Sequence, residues 1–437
     1  MAVARAVRRN TELGLIMLGA LVTAGVYVLA GFGRTASMPA DIGPFLGVVL
    51  ALVVAAHVAT RRLAPAADGT LLAIGALLNG IGYVFIARLD EDLAGLQATW
   101  TLVGVAAYIA TLAVVRRTRD LERYRYTFML GGIVLLLLPL APGIGRTING
   151  ARIWVKVGTF SLQPGEFAKI ALAVFLASYL VERRELLRMA STRIGPLMLP
   201  TFDLKHFGPV LLAWGVSLVV MTAERDLGSS LLFFALFVLL LWVATERASY
   251  LVIGGGLFAA GSVLAWSAFD HVKDRVDLWL DPWDQIERSV PQVVEAAFAM
   301  AWGGLSGTGP GLGHPTRIPA AETDMIFAAI GEELGLLGAT ALLVAYLLIV
   351  GAGLRVALRA RSPFDRLLAT GLTAIIGIQS FVIIGGVIRL VPLTGITLPF
   401  VSYGGSSLIA NYVLLALLMR ISDAEAEPRP SPARGAP

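Results

Sequence analysis

An all-α polytopic membrane protein is the fold class this chain predicts. Three observations predict it. The 437 residues are 57% hydrophobic and only 15% charged, with a mean hydropathy of +0.77, more apolar surface than a soluble domain can bury. The apolar residues fall into long runs close to the roughly 20 residues a spanning helix needs, without the dyad alternation of a membrane barrel. The basic residues sit mainly in short loops between those runs. That is the pattern of topology determinants and not of a nucleic-acid groove, so no nucleic-acid partner is expected.

About 12 transmembrane helices are read, over residues 12–31, 43–60, 70–87, 98–115, 127–142, 164–181, 207–222, 227–245, 248–268, 325–353, 367–388 and 396–419. The first has no convincing cleavage site and is followed by many others, so it is an anchor and not a removed signal. With the N-terminus inside, the cytoplasmic segments hold about 23 Lys and Arg and the outer segments about 11, which puts both termini in the cytoplasm by the positive-inside rule. The loops 143–163 and 269–324 and the turn Arg389 to Gly395 then face outward, and 269–324 is the one long extracellular loop. Residues 422–437 read as a disordered cytoplasmic tail, short, polar and Pro-rich. No clear repeat links the two halves, which weighs against a carrier built from inverted repeats.

Absent cysteines exclude disulfides and thiolate metal sites. The four histidines (His57, His206, His271, His314) lack ligand spacing, which argues against a catalytic zinc and leaves no protein metal site to name.

The polar blocks follow the chain. Asn149-Gly150-Ala151-Arg152-Ile153-Trp154 and Lys156 precede Gln163-Pro164-Gly165-Glu166 and Lys169. Trp154 is either an aromatic-belt anchor or part of a site. Glu166 and Lys169 share a helix face three residues apart, as a helix–helix clamp or as the lining of a polar cavity. Asp226 suits the cap of the helix that follows it. The long outer loop carries Arg275, Asp281-Pro282-Trp283 and a glycine-rich run ending Gly311-Leu312-Gly313, with Lys273, Arg288 and Arg317 adding basic character. Those cations either hold a phosphate or solvate the loop. The run is no nucleotide loop, since no Gly-Lys-Ser/Thr follows.

Thr323-Asp324 then meets an apolar helix that contains Glu332 and Glu333. Acids placed there are costly in lipid and usually functional. Asp324 is a helix cap or a catalytic acid; Glu332 and Glu333 are buried structural acids or further lining of a polar intramembrane cavity. Finally, Pro392 through Ser407 holds Pro392, Pro399 and Gly404-Gly405, which break the helix start, and non-helical backbone at that depth lines a cavity or is buried in protein.

Taken together, these blocks resemble the SEDS family, the RodA, FtsW and SpoVE proteins. The motifs that carry the resemblance are Asn149-Gly150-Ala151-Arg152-x-Trp154, Gln163-Pro164-x-Glu166-x-x-Lys169, Asp226-Leu227-Gly228, Asp281-Pro282-Trp283, Gly311-Leu312-Gly313, Thr323-Asp324-x-Ile326-Phe327-Ala328, Gly331-Glu332-Glu333-Leu334-Gly335 and Pro392 through Ser407, in family order over about residues 70–421. The chain departs from the pattern at Ala320, Arg225, Pro291, Glu295 and Ile383, and no role is carried over to Ala320, Glu295 or Ile383.

The resemblance implies a 10-helix SEDS core at 67–421 with two extra N-terminal helices in 1–66, as in RodA-like actinobacterial members. It implies a peptidoglycan glycosyltransferase that polymerises lipid II, with Asp324 as the essential acid. Trp154, Arg152, Lys156, Arg275 and Arg317 are its candidate substrate-binding residues. A divalent cation, Mg or Mn, would share the leaving diphosphate with these bases. A class B penicillin-binding protein is the implied membrane partner, because no Ser-x-x-Lys motif for crosslinking occurs in the outer loops. The rival readings are a lipid II flippase, for which Glu166, Lys169, Glu332 and Glu333 would form the path, and a scaffold that only recruits other proteins.

Overall fold

The structure is a computed structural model, and it describes residues 2–37, 42–148, 151–158, 160–189, 191–194, 197–200, 215, 223–224, 226–283 and 290–426. Its helices are α1 (Ala2–Thr35), α2 (Ile42–Leu63), α3 (Thr70–Leu89), α4 (Glu91–Val114), α5 (Thr118–Arg123), α6 (Arg125–Leu137), α7 (Gly165–Met189), α8 (Leu227–Thr245), α9 (Ser249–Ala268), α10 (Asp270–Leu280), α11 (Gln292–Gly303), α12 (Ile326–Arg359), α13 (Pro363–Val387) and α14 (Gly405–Ala426). Eight of the described helices are long and apolar enough to cross a membrane, and Arg125–Leu140 is a shorter apolar stretch. The chain is therefore an all-α polytopic membrane protein. Eleven of the expected spans fall on helices; the seventh, 207–222, lies outside the described residues.

Short polar residues start several helices. Asp90 accepts the Asp92 and Leu93 amides at the head of α4. Asp226 accepts the Ser229 amide at 3.0 Å at the head of α8, and Ser362 accepts the Asp365 amide before the Pro363 of α13. Each side chain satisfies an amide that the first turn leaves orphaned.

Helices α13 and α14 form the centre, with 83% of their apolar windows buried inside the protein, whereas α9 has only 6% and presents its apolar surface outward. Helix α14 packs on α4, α13 on α12, α7 on α6, and α1 on α3.

Three expectations need correction. The chain has strands: β1 (Gly145–Ile148), β2 (Ala151–Val157) and β3 (Phe160–Leu162) form an antiparallel sheet, and β4 (Ser191–Ile194) pairs with β5 (Leu197–Pro200). They are too short to span and sit in the connections, where apolar-run length carries no signal for them. The last span begins at Gly405 and not at 396, because Pro399 disfavours the helical conformation at Leu398 and residues 391–404 run without helix. The tail begins later than Ser422. Ser422 and Asp423 are buried in α14 and accept the amides of Asp68 and Ala66, at 3.0 and 2.7 Å. Residues 427–437 lie outside the described residues.

The connections gather at two ends. One end joins the β1–β3 sheet, residues 223–224 and 226–228, α10, α11 and 304–325 to the 388–404 segment. At the other, Arg420 donates to the carbonyls of Leu63, Leu112 and Val115, and Arg125–Glu182 and Arg184–Glu246 pair at 2.6 and 2.7 Å. The described residues of the loops 143–163 and 269–324 and of the turn Arg389 to Gly395 fall at the first end.

Candidate active site

Asp324 sits where two irregular segments lock together. A tight turn at Ala320, whose φ is +56°, brings the amides of Thr323 and Met325 to the Ala320 carbonyl, each at 3.1 Å. The Ser402 hydroxyl donates to the Thr323 carbonyl at 2.6 Å and the Tyr403 amide to that of Glu322 at 2.8 Å. Ser402 also accepts the Leu398 amide. The backbone on both sides of Asp324 is thereby fixed, while its carboxyl is spared. The capping alternative fails: α12 starts after Met325 without a side-chain cap, and the Thr323 hydroxyl turns back to Ala320.

The carboxyl lines a cavity of about 90 Å³ with Arg275, Leu278, Trp279, Gln292, Val293, Gly386, Arg389, Val391, Leu393 and Gly395. A β-carbon placed on Gly395 would lie 3.6 Å from Asp324 Oδ2 and 3.7 Å from Arg275 Nη2, so both charges converge on one point. Arg275 is held there by donating to the carbonyls of Thr394 and Leu393, at 2.9 and 3.3 Å. Burial raises the Asp324 carboxyl to about 6; Arg275 opposes the rise, and Glu322 and Asp226 add to it. Nearby, burial assisted by Asp226 pushes Glu224 up to about 8, so it is protonated at neutral pH.

The floor of the site is tied from the membrane side. Lys169 donates to Glu166 at 2.7 Å and to Gln379 at 2.9 Å. Gln379 in turn donates to the Thr397 carbonyl at 2.8 Å, and Tyr346 to that of Pro399 at 2.7 Å. The clamp of Glu166 and Lys169 thus positions the 391–404 segment.

Glu332 and Glu333 are elsewhere in purpose. Helix α12 breaks at Gly335, whose φ is +65° and ψ −167°, and the glycine-rich run lies against the break. Glu332 accepts the His314 amide at 2.6 Å and Glu333 the Gly311 amide at 2.9 Å. Arg88 of α3 meets Glu333 at 3.2 Å and donates to the Gly313 carbonyl. These two acids staple a loop and do not join Glu166 and Lys169 in one lining.

The remaining expected residues do not line this cavity. Arg152 donates to the carbonyls of Pro139 and Ala141 at 3.0 and 3.3 Å, closing the end of the α6 connection. Trp154 is half-buried on β2 opposite Arg146, while Lys156 on β2 and Arg317 are exposed. Asn149, Gly150 and Arg225 lie outside the described residues. Sequence reading missed Gln379, Arg88 and Tyr346, since nothing local marks a polar residue in an apolar helix as the partner of one far along the chain, 210 positions for Gln379 and 53 for Tyr346. It gave no role to Trp279, Gln292 or Arg389.

A divalent cation does not fit the residues present. Among the described residues no group of three His, Cys, Asp or Glu stands close enough to hold a metal. The cavity sets one carboxylate beside two guanidiniums, a donor set that suits an anion.

The family model described as a cell cycle protein, FtsW/RodA/SpoVE, matches residues 71–427. The peptidoglycan glycosyltransferase RodA of Mycobacterium tuberculosis is 44% identical over 432 residues, which cover 96% of this chain and 92% of that one. The probable peptidoglycan glycosyltransferase FtsW of Geobacter metallireducens is 34% identical over 343 residues, 78% of this chain and 85% of that one. A chain solved in work on the structural coordination of polymerization and crosslinking by a peptidoglycan synthase complex superposes with a TM-score of 0.69 at 26% identity, covering 82% of this chain and 98% of that one. The crystal structure of the rod shape determining protein RodA of Thermus thermophilus gives 0.59 at 25% identity, covering 82% and 97%.

Proposed function

The chain belongs to the FtsW/RodA/SpoVE family, and on that premise we propose that it is a peptidoglycan glycosyltransferase that polymerises lipid II, with Asp324 as its base. The observation that carries the role of Asp324 is its place: a single carboxyl, raised to about 6, faces two guanidiniums in a cavity at the end of the bundle that gathers the outer loops.

Lipid II presents a disaccharide on a polyprenyl diphosphate. The Asp324 carboxylate takes the proton of the acceptor 4-hydroxyl. That oxygen forms the β-1,4 bond to the donor's anomeric carbon, and the bond from that carbon to the diphosphate oxygen breaks with inversion. The electron pair leaves on the diphosphate, whose charge the guanidinium side of the cavity offsets. One carboxylate suffices because the diphosphate departs without a proton, unlike the leaving groups that call for the paired acids of inverting glycosidases.

The flippase alternative relied on four acids and bases that are committed to each other or to backbone. Glu166 and Lys169 pair and hold Gln379, and Glu332 and Glu333 hold the glycine-rich run. The family match begins at residue 71, which supports reading 1–66 as two helices added to the 67–421 core. Both termini are assigned to the cytoplasm and the protein to the bacterial plasma membrane. Its partner is a class B penicillin-binding protein that crosslinks the strands made here.

The test is a gel assay of purified protein with lipid II. Glycan polymer is expected from the native protein and none from Asp324→Asn. Full polymerisation by the variant removes Asp324 from the chemistry, and none by the native protein removes the activity.

A further inference from the structure

We infer that Arg389 is the anion-binding residue of the active-site cavity, contacting the diphosphate of the polyprenyl-linked donor from the wall that joins α10 to the end of α13. This rests on the glycosyltransferase reading for the identity of the anion, but the geometry stands independently. Arg389 lines the same cavity as Asp324 and Arg275. Its Nη2 donates to the Trp279 carbonyl at 3.1 Å, and its own carbonyl accepts Trp279 Nε1 at 3.0 Å. This reciprocal pair fixes the guanidinium in place. Its Nε is buried and has no hydrogen-bond partner among the described residues.

A buried guanidinium donor left unspent is costly, and a ligand that accepts from it removes the cost. The left-handed φ of +61° at Arg389 belongs to the C-terminal cap of α13, where the Leu390 amide returns to the Gly385 carbonyl at 2.7 Å, and it fixes the backbone from which the guanidinium projects. Arg275 has less to give, since its Nη1 already donates to two carbonyls. With Asp324 ionised the three charged groups of the cavity still sum to one positive charge. That balance suits a diphosphate oxygen, and the planar fork of Arg389 suits two of them at once.

The division of labour follows. Arg275 opposes the rise that burial causes at Asp324 and braces the carbonyls of Leu393 and Thr394, and Arg389 receives the leaving group. The small cavity admits a compact phosphoryl group and not the sugars, which leaves the disaccharides to the open side of the site.

The experiment measures equilibrium binding of inorganic pyrophosphate to the purified full-length protein by calorimetry, with lipid II kinetics on the same samples. Arg389→Gln is expected to weaken pyrophosphate binding at least about tenfold, the worth of one charge-assisted hydrogen bond, and to raise KM for lipid II. Arg389→Lys should retain most of the binding. Lys273→Gln removes an exposed cation of α10 that pairs with Asp270 and does not line the cavity, so it should bind pyrophosphate within about threefold of the native protein. Unchanged binding in Arg389→Gln overturns the inference, and so does an equal loss in Lys273→Gln, which would make the binding a general effect of charge at this end. If Arg389→Gln does not elute as a folded species, Arg389→Lys decides. Its pyrophosphate affinity must fall measurably, because a point charge loses the two-oxygen grip, and unchanged affinity overturns the inference. Native protein that binds pyrophosphate without polymerising lipid II would sink the proposed activity and leave this site standing.

Discussion

At the scale of the residue, the chemistry turns on how Asp324 holds its proton. A general base in this position contributes about 10²–10⁴-fold, so Asp324→Asn should cost that much in polymerisation rate. The same substitution should not cost stability. The folded-state value of about 6 lies above the 3.8 of a free carboxyl. Between about pH 4 and 6 the folded protein keeps a proton that the unfolded chain has released, so the contribution of this group to stability falls as pH rises through that window. At pH 7.5 the carboxylate is the populated form and carries the cost of its burial, so Asp324→Asn should melt at the same temperature as the native protein or higher. A marked drop in Tm would mean that the carboxylate is structural. The rate itself should rise with pH through about 6 and then level, as one base deprotonates. Arg275 lowers the Asp324 value, so Arg275→Gln should move that limb to higher pH. A limb that stays in place in a pH–rate profile would show that Arg275 does not govern this carboxyl.

At the scale of the element, the site depends on two supports of different legibility. The break in α12 is one. A β-carbon on Gly335 would lie 2.2 Å from the Gly307 nitrogen and 2.6 Å from the Leu305 oxygen, and the left-handed φ alone costs on the order of 1–3 kcal/mol for another residue. Gly335→Ala should therefore lower Tm and disorder the run that Glu332 and Glu333 staple; an unchanged Tm in a detergent melt would contradict the close approach. The clamp beneath the 391–404 segment is the other. Lys169→Met strands Glu166 in a buried setting and should cost about 3–5 kcal/mol, while Glu166→Gln with Lys169→Met should recover much of it. Equal loss in single and double variants, read as Tm, would show that the pair has no mutual dependence. The three-residue spacing of Glu166 and Lys169 was legible because helical periodicity is local. The bond from Lys169 to Gln379 was not, because it crosses helices. Glu332 and Glu333 read as membrane-embedded acids for the same reason: the break at Gly335 and the amides of Gly311 and His314 that satisfy them appear only once the outer loop folds back. Arg152 read as a phosphate ligand, yet it is spent on the carbonyls of Pro139 and Ala141, which its sequence neighbourhood does not reveal.

At the scale of the whole molecule, the charge count and the bundle agree on which loops share an end, and the assignment of that end to the cell exterior comes from the charge count alone. Hydropathy alone placed eleven of the spans on helices, since a run of roughly 20 apolar residues has few other ways to satisfy its backbone in lipid. It misjudged the start of α14 and overlooked the β1–β3 sheet, because both are set by prolines and loop pairing outside the apolar runs. The orientation rests on the excess of Lys and Arg on one side, an insertion preference and not a feature of the folded bundle. The chain contains no cysteine, so a single introduced thiol is a unique reporter. Lys156 is exposed on β2, at the end shared with Asp324, and Arg119 is exposed on α5, one span away at the opposite end. Lys156→Cys should react with a membrane-impermeant maleimide in intact cells from which any outer barrier has been removed. Arg119→Cys should react only after permeabilisation. The reverse pattern would place Asp324 on the cytoplasmic face, where a strand destined for the wall cannot be polymerised, and the assignment of the activity would fall with the orientation. Labelling of both from outside would show that the span between them, α6, does not cross.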